Sequence, residues 1–188
     1  LCAELAHGSA AIALGLYVHT ALAAAAILHL GSDDQKARYL PEALAGKRIG
    51  CWGYAEAGAG ADISCVSTRA RRDNGHYVLD GAKLYITNAP FADFMVVVAQ
   101  TEPGRGLKGM SVFVVDRDTP GVRVSAPFRK LGMGASEMAE IVFDGARVSA
   151  GNRLGTENLG FIEALKVLTF GRIASAAFGV GLGRAALG

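Results

Sequence analysis

The sequence predicts an α+β chain: helices, then an antiparallel β-sandwich or barrel domain, then one long helix of an incomplete helical bundle. Two observations carry this. The apolar period is helical to about residue 46, falls to two from Ile49, and is helical again after Asn158. The strand-like runs between recur at short spacing, with turn residues and no helical pattern among them. The expected units are an N-terminal helical segment at 1–47, a middle β-domain at 48–150 and the start of a C-terminal helical domain at 151–188.

In the first unit, Ile12, Leu16 and His19 follow a helical stripe, and Ala21 to Leu30 is an alanine-rich helix suited to close packing. Gly31 is a C-cap candidate and Ser32 an N-cap for a helix opening at Asp33-Asp34-Gln35. Pro41 is expected to start a separate helical turn ending at Gly46. In the β-domain the strand candidates are 49–54, 66–72, 76–80, 83–87, 94–101, 110–116, 122–127 and 139–143. Asp73-Asn74-Gly75 and Asp80-Gly81 read as hairpin turns, and Thr119-Pro120-Gly121 as a turn. The last helix, 158–187, carries apolar Phe161, Leu165, Leu168 and Ile173. Gly171, Gly179, Gly181 and Gly183 cost it helix propensity, which suggests that another helix or subunit packs tightly there.

Composition excludes several classes of function. A chain of 188 residues with 51% hydrophobic and 19% charged residues is an ordinary globular sequence. A net charge of +2 does not suggest nucleic acid or an anionic membrane. Arg69, Arg71 and Arg72 read as a solvated strand end. Three cysteines, Cys2, Cys51 and Cys65, without Cys-x-x-Cys spacing point to reduced thiols in a cytoplasmic protein, with neither a disulfide framework nor a metal site. The uncharged run from Leu5 to Ser32 is long enough to cross a bilayer. Its alanine content, its three histidines and the absence of a preceding Lys/Arg cluster argue for a buried helical pair and no membrane span.

The chain is organised around Cys51 to Asp62, an aromatic and apolar run that turns into glycine alternating with alanine and closes on aspartate. Glycine allows close backbone approach to a ligand, and a Gly-rich turn leaving a strand exposes amide N–H groups to anionic or carbonyl oxygens. Taken alone, Gly58-Ala59-Gly60 is better explained as an ordinary turn. A second segment, Gly81 to Asp93, contains Lys83-Leu84-Tyr85-Ile86-Thr87-Asn88-Ala89. Strand alternation puts Tyr85 and Thr87 on one face and Leu84 and Ile86 on the other, the first face being either a binding surface or plain solvent.

Read together, these segments resemble the acyl-CoA dehydrogenase family. Val18-His19-Thr20 and the run Leu30 to Pro41 look like its N-terminal helices. Residues 54–62 are similar to its Leu-Thr-Glu-Pro-x-Ala-Gly-Ser-Asp signature, and 85–89 to its Trp-Ile-Thr-Asn-Ala strand. Lys130-Leu131-Gly132, Ile141-Val142-Phe143-Asp144 and Asn152-Arg153-Leu154-Gly155 resemble its later β-domain, and Gly171-Arg172-Ile173-Ala174 its first C-terminal helix.

The resemblance implies FAD held without a Rossmann fold and α,β-dehydrogenation of an acyl thioester on CoA or a carrier protein. It implies cofactor contacts from Trp52, Gly53, Tyr54, Ala55, Ala61, Tyr85, Ile86 and Thr87, with the ring against Tyr85 and the Thr87 hydroxyl near flavin N5. It implies substrate contacts from Ala61, Thr169 and Arg172, although Arg172 reads equally as a helix-surface charge. It further implies a role in fatty acid metabolism, an electron-transfer flavoprotein or similar acceptor, and a homo-oligomer, tetramer or dimer.

Departures from the family pattern shape the expectation. Ala55 replaces a flavin-bonding threonine, Ala61 a serine and Ala57 a proline, while Thr169 replaces an aspartate. The position a minority of the family uses for the catalytic base is Gly171, without a carboxylate, and Glu163 lies two turns earlier. No residue of the chain is therefore assigned as base, which is expected beyond residue 188 in a partial subunit that is inactive alone. A flavin monooxygenase or oxidase on the same scaffold, and a non-catalytic partner subunit of a hetero-oligomer, are the alternatives.

Overall fold

Residues 1–188 are described by a computed structural model. Four helical stretches open the chain: α1 (Cys2–Gly8), α2 (Ala10–Tyr17), a π-helical segment (Val18–Ala24) and α3 (Ala25–Leu30). The run from Ala10 to Leu30 is long and apolar enough to cross a membrane, as is the last helix, but here half of it is buried within the protein. His19 secures it. Its Nε2 faces the Ala43 carbonyl at 2.9 Å and its Nδ1 faces the Gly50 N–H at 3.0 Å. The Gly50 amide requires a lone pair on Nδ1, so Nε2 is the donor. One ring thus ties the first helices to the next helix and the first strand.

Ser32 caps α4 (Asp33–Leu44) as expected, through a capping box in which the Ser32 and Gln35 side chains exchange backbone bonds. Pro41 does not start a separate turn; it lies inside α4. A proline removes one helical bond, but the Pro41 carbonyl still accepts from Ala45 N, and buried Tyr39 and Ala43 hold the helix on both sides of it.

The β-domain comprises β1 (Gly50–Gly53), β2 (Arg69–Asp73), β3 (His76–Thr87), β4 (Phe94–Gln100), β5 (Met110–Asp116), β6 (Val122–Val124), β7 (Met138–Ser149) and β8 (Arg153–Leu154). The order is β6-β7-β3-β2-β4-β5-β8, with β1 joined to β4. Most neighbours are antiparallel; β1 runs parallel to β4, as does the single β2–β4 bridge, so the sheet is mixed. The expected sequence of helices, β-domain and long helix holds.

Asp80-Gly81 is not a hairpin turn. β3 passes straight through it as one strand, with a register shift against β7 between Leu79 and Gly81. Gly81 has φ +143°, and a Cβ there would come within 2.7 Å of Thr68. The glycine makes an irregularity inside a strand, which is its other common use in sheets. β4, entirely buried, explains its continuous apolar sequence. Phe94, Val96 and Val98 join the core facing the helices, while Met95, Val97 and Ala99 join a second core on the opposite face.

α5 (Gly160–Leu187) packs Ala164 and Val167 into the helix-side core. Two of its glycines mark close approaches: a Cβ at Gly171 would lie 2.6 Å from the Tyr17 hydroxyl, and one at Gly181 would lie 2.2 Å from the Ala3 carbonyl oxygen. Gly179 and Gly183 face open space. Ile162, Phe170, Ile173 and Val180 leave the other side of α5 apolar and exposed.

Candidate functional site

β1 and the far end of β3 meet beneath the helices. There Trp52, Tyr54, Ala55, Tyr85, Ile86 and Thr87 line one cavity of about 220 Å³ with Val18 and Leu22 from the π-helical segment. Six residues singled out from sequence are therefore brought together. Gly53 is buried within β1 but does not line the cavity. Ala61 is exposed in the glycine-rich loop, and Thr169 and Arg172 are exposed on α5, all outside the cavity wall. Val18 and Leu22 were not anticipated, although their spacing of four already puts them on one helix face.

A distortion in β3 creates the Tyr85 shelf. The register against β7 shifts between Lys83 and Ile86, so three steps on β3 face two on its partner. Lys83 and Ile86 are both buried, whereas Tyr85 is 63% exposed and Thr87 half-buried. Alternation thus holds locally, with Tyr85 and Thr87 turned away from Ile86, but it does not extend back unbroken to Lys83. Tyr85 has φ +58°, in the left-handed region that costs an L-residue about 1–2 kcal/mol. An exposed aromatic ring held in a strained backbone is a reason to suspect a binding role. Phe128 leans on it, ring centroids 5.4 Å apart.

The β1 wall is aromatic. The Trp52 and Tyr54 rings lie 6.3 Å apart and 18° from parallel. The Tyr54 hydroxyl is buried without a hydrogen-bond partner, and burial raises its pKa above the usual phenol range. No carboxylate lines the cavity. Glu163 is spent elsewhere: its Oε1 accepts from Thr156 N at 2.8 Å, and its carboxylate packs against Gly155.

Beneath both walls lies an ion pair that sequence reading missed. Lys83 Nζ sits 2.7 Å from Glu56 Oε1, their side chains 0% and 4% exposed. Glu56 also accepts from Ser67 N and Ser67 Oγ on Oε2, and from Thr68 N on Oε1. Burial pushes the Glu56 carboxyl up, but the Lys83 charge and these bonds outweigh it and hold its pKa near 2. Burial draws Lys83 down to about 8, against the opposing pull of Glu56. Lys83 within the strand run Lys83–Thr87 was the available signal, since a lysine buried there is almost always paired.

A larger hollow of about 450 Å³, lined by Arg48, Asp93, Arg117 and Asp118, lies away from this cavity. Three of its four side chains are already committed. Arg48 pairs with Asp116 at 2.8 Å, Arg117 donates to the Ala89 carbonyl at 2.7 Å, and Asp93 accepts from Ile49 N at 2.6 Å. It is a polar brace between the loop after α4 and the ends of β4 and β5.

Helices thus lead into a largely antiparallel sheet, an aromatic cavity lies at their junction, and a long helix follows. Two family profiles cover most of the sequence: "Acyl-CoA dehydrogenase, N-terminal domain" over residues 1–47 and "Acyl-CoA dehydrogenase, middle domain" over 51–146. The chain belongs to the acyl-CoA dehydrogenase family. It is 39% identical over 184 residues to an acyl-CoA dehydrogenase of Bacillus subtilis (strain 168), covering 98% of this chain and 48% of the relative. The butyryl-CoA dehydrogenase structure from Megasphaera elsdenii superposes with a TM-score of 0.96 at 35% identity, covering 99% of this chain and 49% of that one. A glutaryl-CoA dehydrogenase from Mycobacterium smegmatis in complex with FADH2 gives 0.92 at 35%, covering 99% and 47%. The chain thus spans about half the length of the curated relatives it matches.

Proposed function

We propose that this chain forms the flavin and acyl-thioester wall of an FAD-dependent acyl-thioester dehydrogenase. The observation that carries the reading is the single cavity joining Trp52, Tyr54 and Ala55 to Tyr85, Ile86 and Thr87 beneath Val18 and Leu22. The donor set fits a flavin: an exposed aromatic shelf at Tyr85, a neighbouring hydroxyl at Thr87, and a loop in which Gly58 and Gly60 leave open space for close approach. When bound, FAD supplies the hydride acceptor for oxidation of the acyl group.

In this reading Tyr85 supports the ring and Thr87 donates to its polar edge. The backbone of 52–55 runs alongside, and Ala61, which carries no hydroxyl, contributes its amide. Leu22 and Val18 exclude water above the reacting carbons, which strengthens polar interactions inside. Arg172 and Thr169 lie on α5 where the carrier arm would pass, CoA or carrier protein. The α-proton needs a base that the cavity wall does not hold; the reading draws it from beyond residue 188. The division into 1–47, 48–150 and 151–188, a cytoplasmic location, an electron-transfer flavoprotein as acceptor and a homo-oligomer complete the proposal.

A second reading is favoured by one observation: with no carboxylate in the cavity and alanine at 55 and 61, the site also suits a flavin oxidase or monooxygenase. The visible absorption spectrum of the protein from its natural source, before and after anaerobic addition of acyl-CoA thioesters, separates the two. Bleaching of a flavin band supports the dehydrogenase. A flavin that stays oxidised until oxygen and a different donor are supplied favours the oxidase or monooxygenase. A protein without flavin that co-purifies with a homologue is a non-catalytic partner.

A further inference from the structure

The two walls of the cavity come from strands that do not pair with each other. β1 pairs with β4, while β3 pairs with β2 and β7. What joins them is the segment just after β1. Leu84 N donates to the Ala55 carbonyl at 2.9 Å, and Lys83 Nζ reaches the Tyr54 carbonyl at 3.3 Å and Glu56 Oε1 at 2.7 Å. Glu56 in turn is gripped by Ser67 and Thr68, ahead of β2. Lys83 immediately precedes the bulge that turns Tyr85 outward.

A buried ion pair is weak evidence for a stabilising role, because desolvation of both charges offsets their attraction and apolar replacements often serve stability as well. The pair therefore calls for another explanation, and its position gives one. Lys83, on the β3 wall, reaches the Tyr54 carbonyl of the opposite wall, and Glu56, one residue past Ala55, is itself held by the backbone of Ser67 and Thr68; register and geometry are what such pairs are best known to secure.

We infer that Lys83 and Glu56 are positioning residues that hold the Trp52–Ala55 wall at a fixed distance from the Tyr85–Thr87 wall, setting the cavity's fit for a flat aromatic ligand. Neither needs to touch that ligand. The ligand arm of the inference rests on the flavin reading above; the geometric arm does not, because Trp52, the sole tryptophan, lines the cavity and reports its closure directly.

The test compares the wild-type chain with Glu56→Gln/Lys83→Met, which removes both charges and leaves none unpaired. Acrylamide quenching of Trp52 and FAD titration are read on protein shown to be folded by circular dichroism. The expected result is a two- to threefold rise in Trp52 quenching and an FAD affinity about tenfold weaker, equivalent to ~1.4 kcal/mol. A folded double variant with wild-type quenching overturns the inference, as does one with raised quenching but unchanged FAD affinity. If the wild type itself binds no FAD, the flavin reading fails, and the quenching comparison alone decides the inference. Should the double variant not fold, Ser67→Ala removes one bond to Glu56 and leaves the ion pair in place. It should raise quenching in the same direction by a smaller factor, and unchanged quenching there also overturns the inference.

Discussion

Gly171 lies directly against Tyr17: a Cβ at 171 would sit 2.6 Å from the tyrosine hydroxyl and 3.0 Å from Leu22 Cδ2. This is the position at which resemblance to a minority of the family would put a catalytic carboxylate. Gly171→Ala alone should lose stability, although alanine is the better helix former by about 1 kcal/mol. With Tyr17→Phe the nearest tyrosine carbon is 3.6 Å away, and much of the clash is gone. The alanine should then cost at least about 1 kcal/mol less than in the Tyr17 background. Urea midpoints for the four proteins measure this coupling, and its absence would show that Tyr17 does not restrict the position.

The Tyr54 hydroxyl is buried and unpaired. Burying such a group costs about 1–3 kcal/mol. Tyr54→Phe should therefore leave thermal stability unchanged or raise it by up to ~1 kcal/mol. A loss larger than that would reveal a partner for the hydroxyl.

Tyr85 trades stability for exposure. Its ring is mostly solvent-exposed and its backbone is left-handed. Tyr85→Gly removes the strain of about 1–2 kcal/mol while adding unfolded-chain entropy of roughly 0.4–1 kcal/mol. The variant should be at least as stable as wild type, yet bind FAD about tenfold or more weakly through loss of the aromatic shelf. Equal FAD affinity would remove Tyr85 from the site.

Acid should weaken the fold through Glu56. Its folded pKa, near 2, lies below the ordinary carboxylate value of 4.5. The stabilisation is therefore present above pH 4.5 and is lost as pH falls towards 2. Its size is on the order of 3 kcal/mol, reduced by whatever water reaches the pair. Chemical denaturation between pH 6 and 3 should show a decline that Glu56→Gln/Lys83→Met flattens. An equally steep decline in that variant would assign the acid sensitivity to other carboxylates.

Legibility in the sequence followed the range of the interactions involved. Ser32 with Gln35 was readable because a capping box is local. The buried strands were readable as apolar runs, β5 at 110–116 and β4 to within a residue of 94–101, but the continuity of β3 was not: it crosses Asp80-Gly81 because Gly81 is needed where Thr68 approaches, a contact thirteen residues away in the chain. Pro41 misled because tertiary packing of Tyr39 and Ala43 overrides its break in the helix. Six cavity residues were legible as two motifs. Val18, Leu22 and the Glu56–Lys83 pair were not, since each matters only through a partner that folding brings near.

The parallel pairing of β1 with β4 has a kinetic consequence. β2 with β3 and β4 with β5 are neighbours in sequence and can close early, whereas β1 must wait for Phe94–Val97 to be in place before Gly50–Gly53 has an edge to join. Long-range pairings are slow to form because loop closure precedes their reward. Trp52 should therefore become protected in one of the last steps of refolding, and the cavity is completed only once the rest of the sheet exists to receive it.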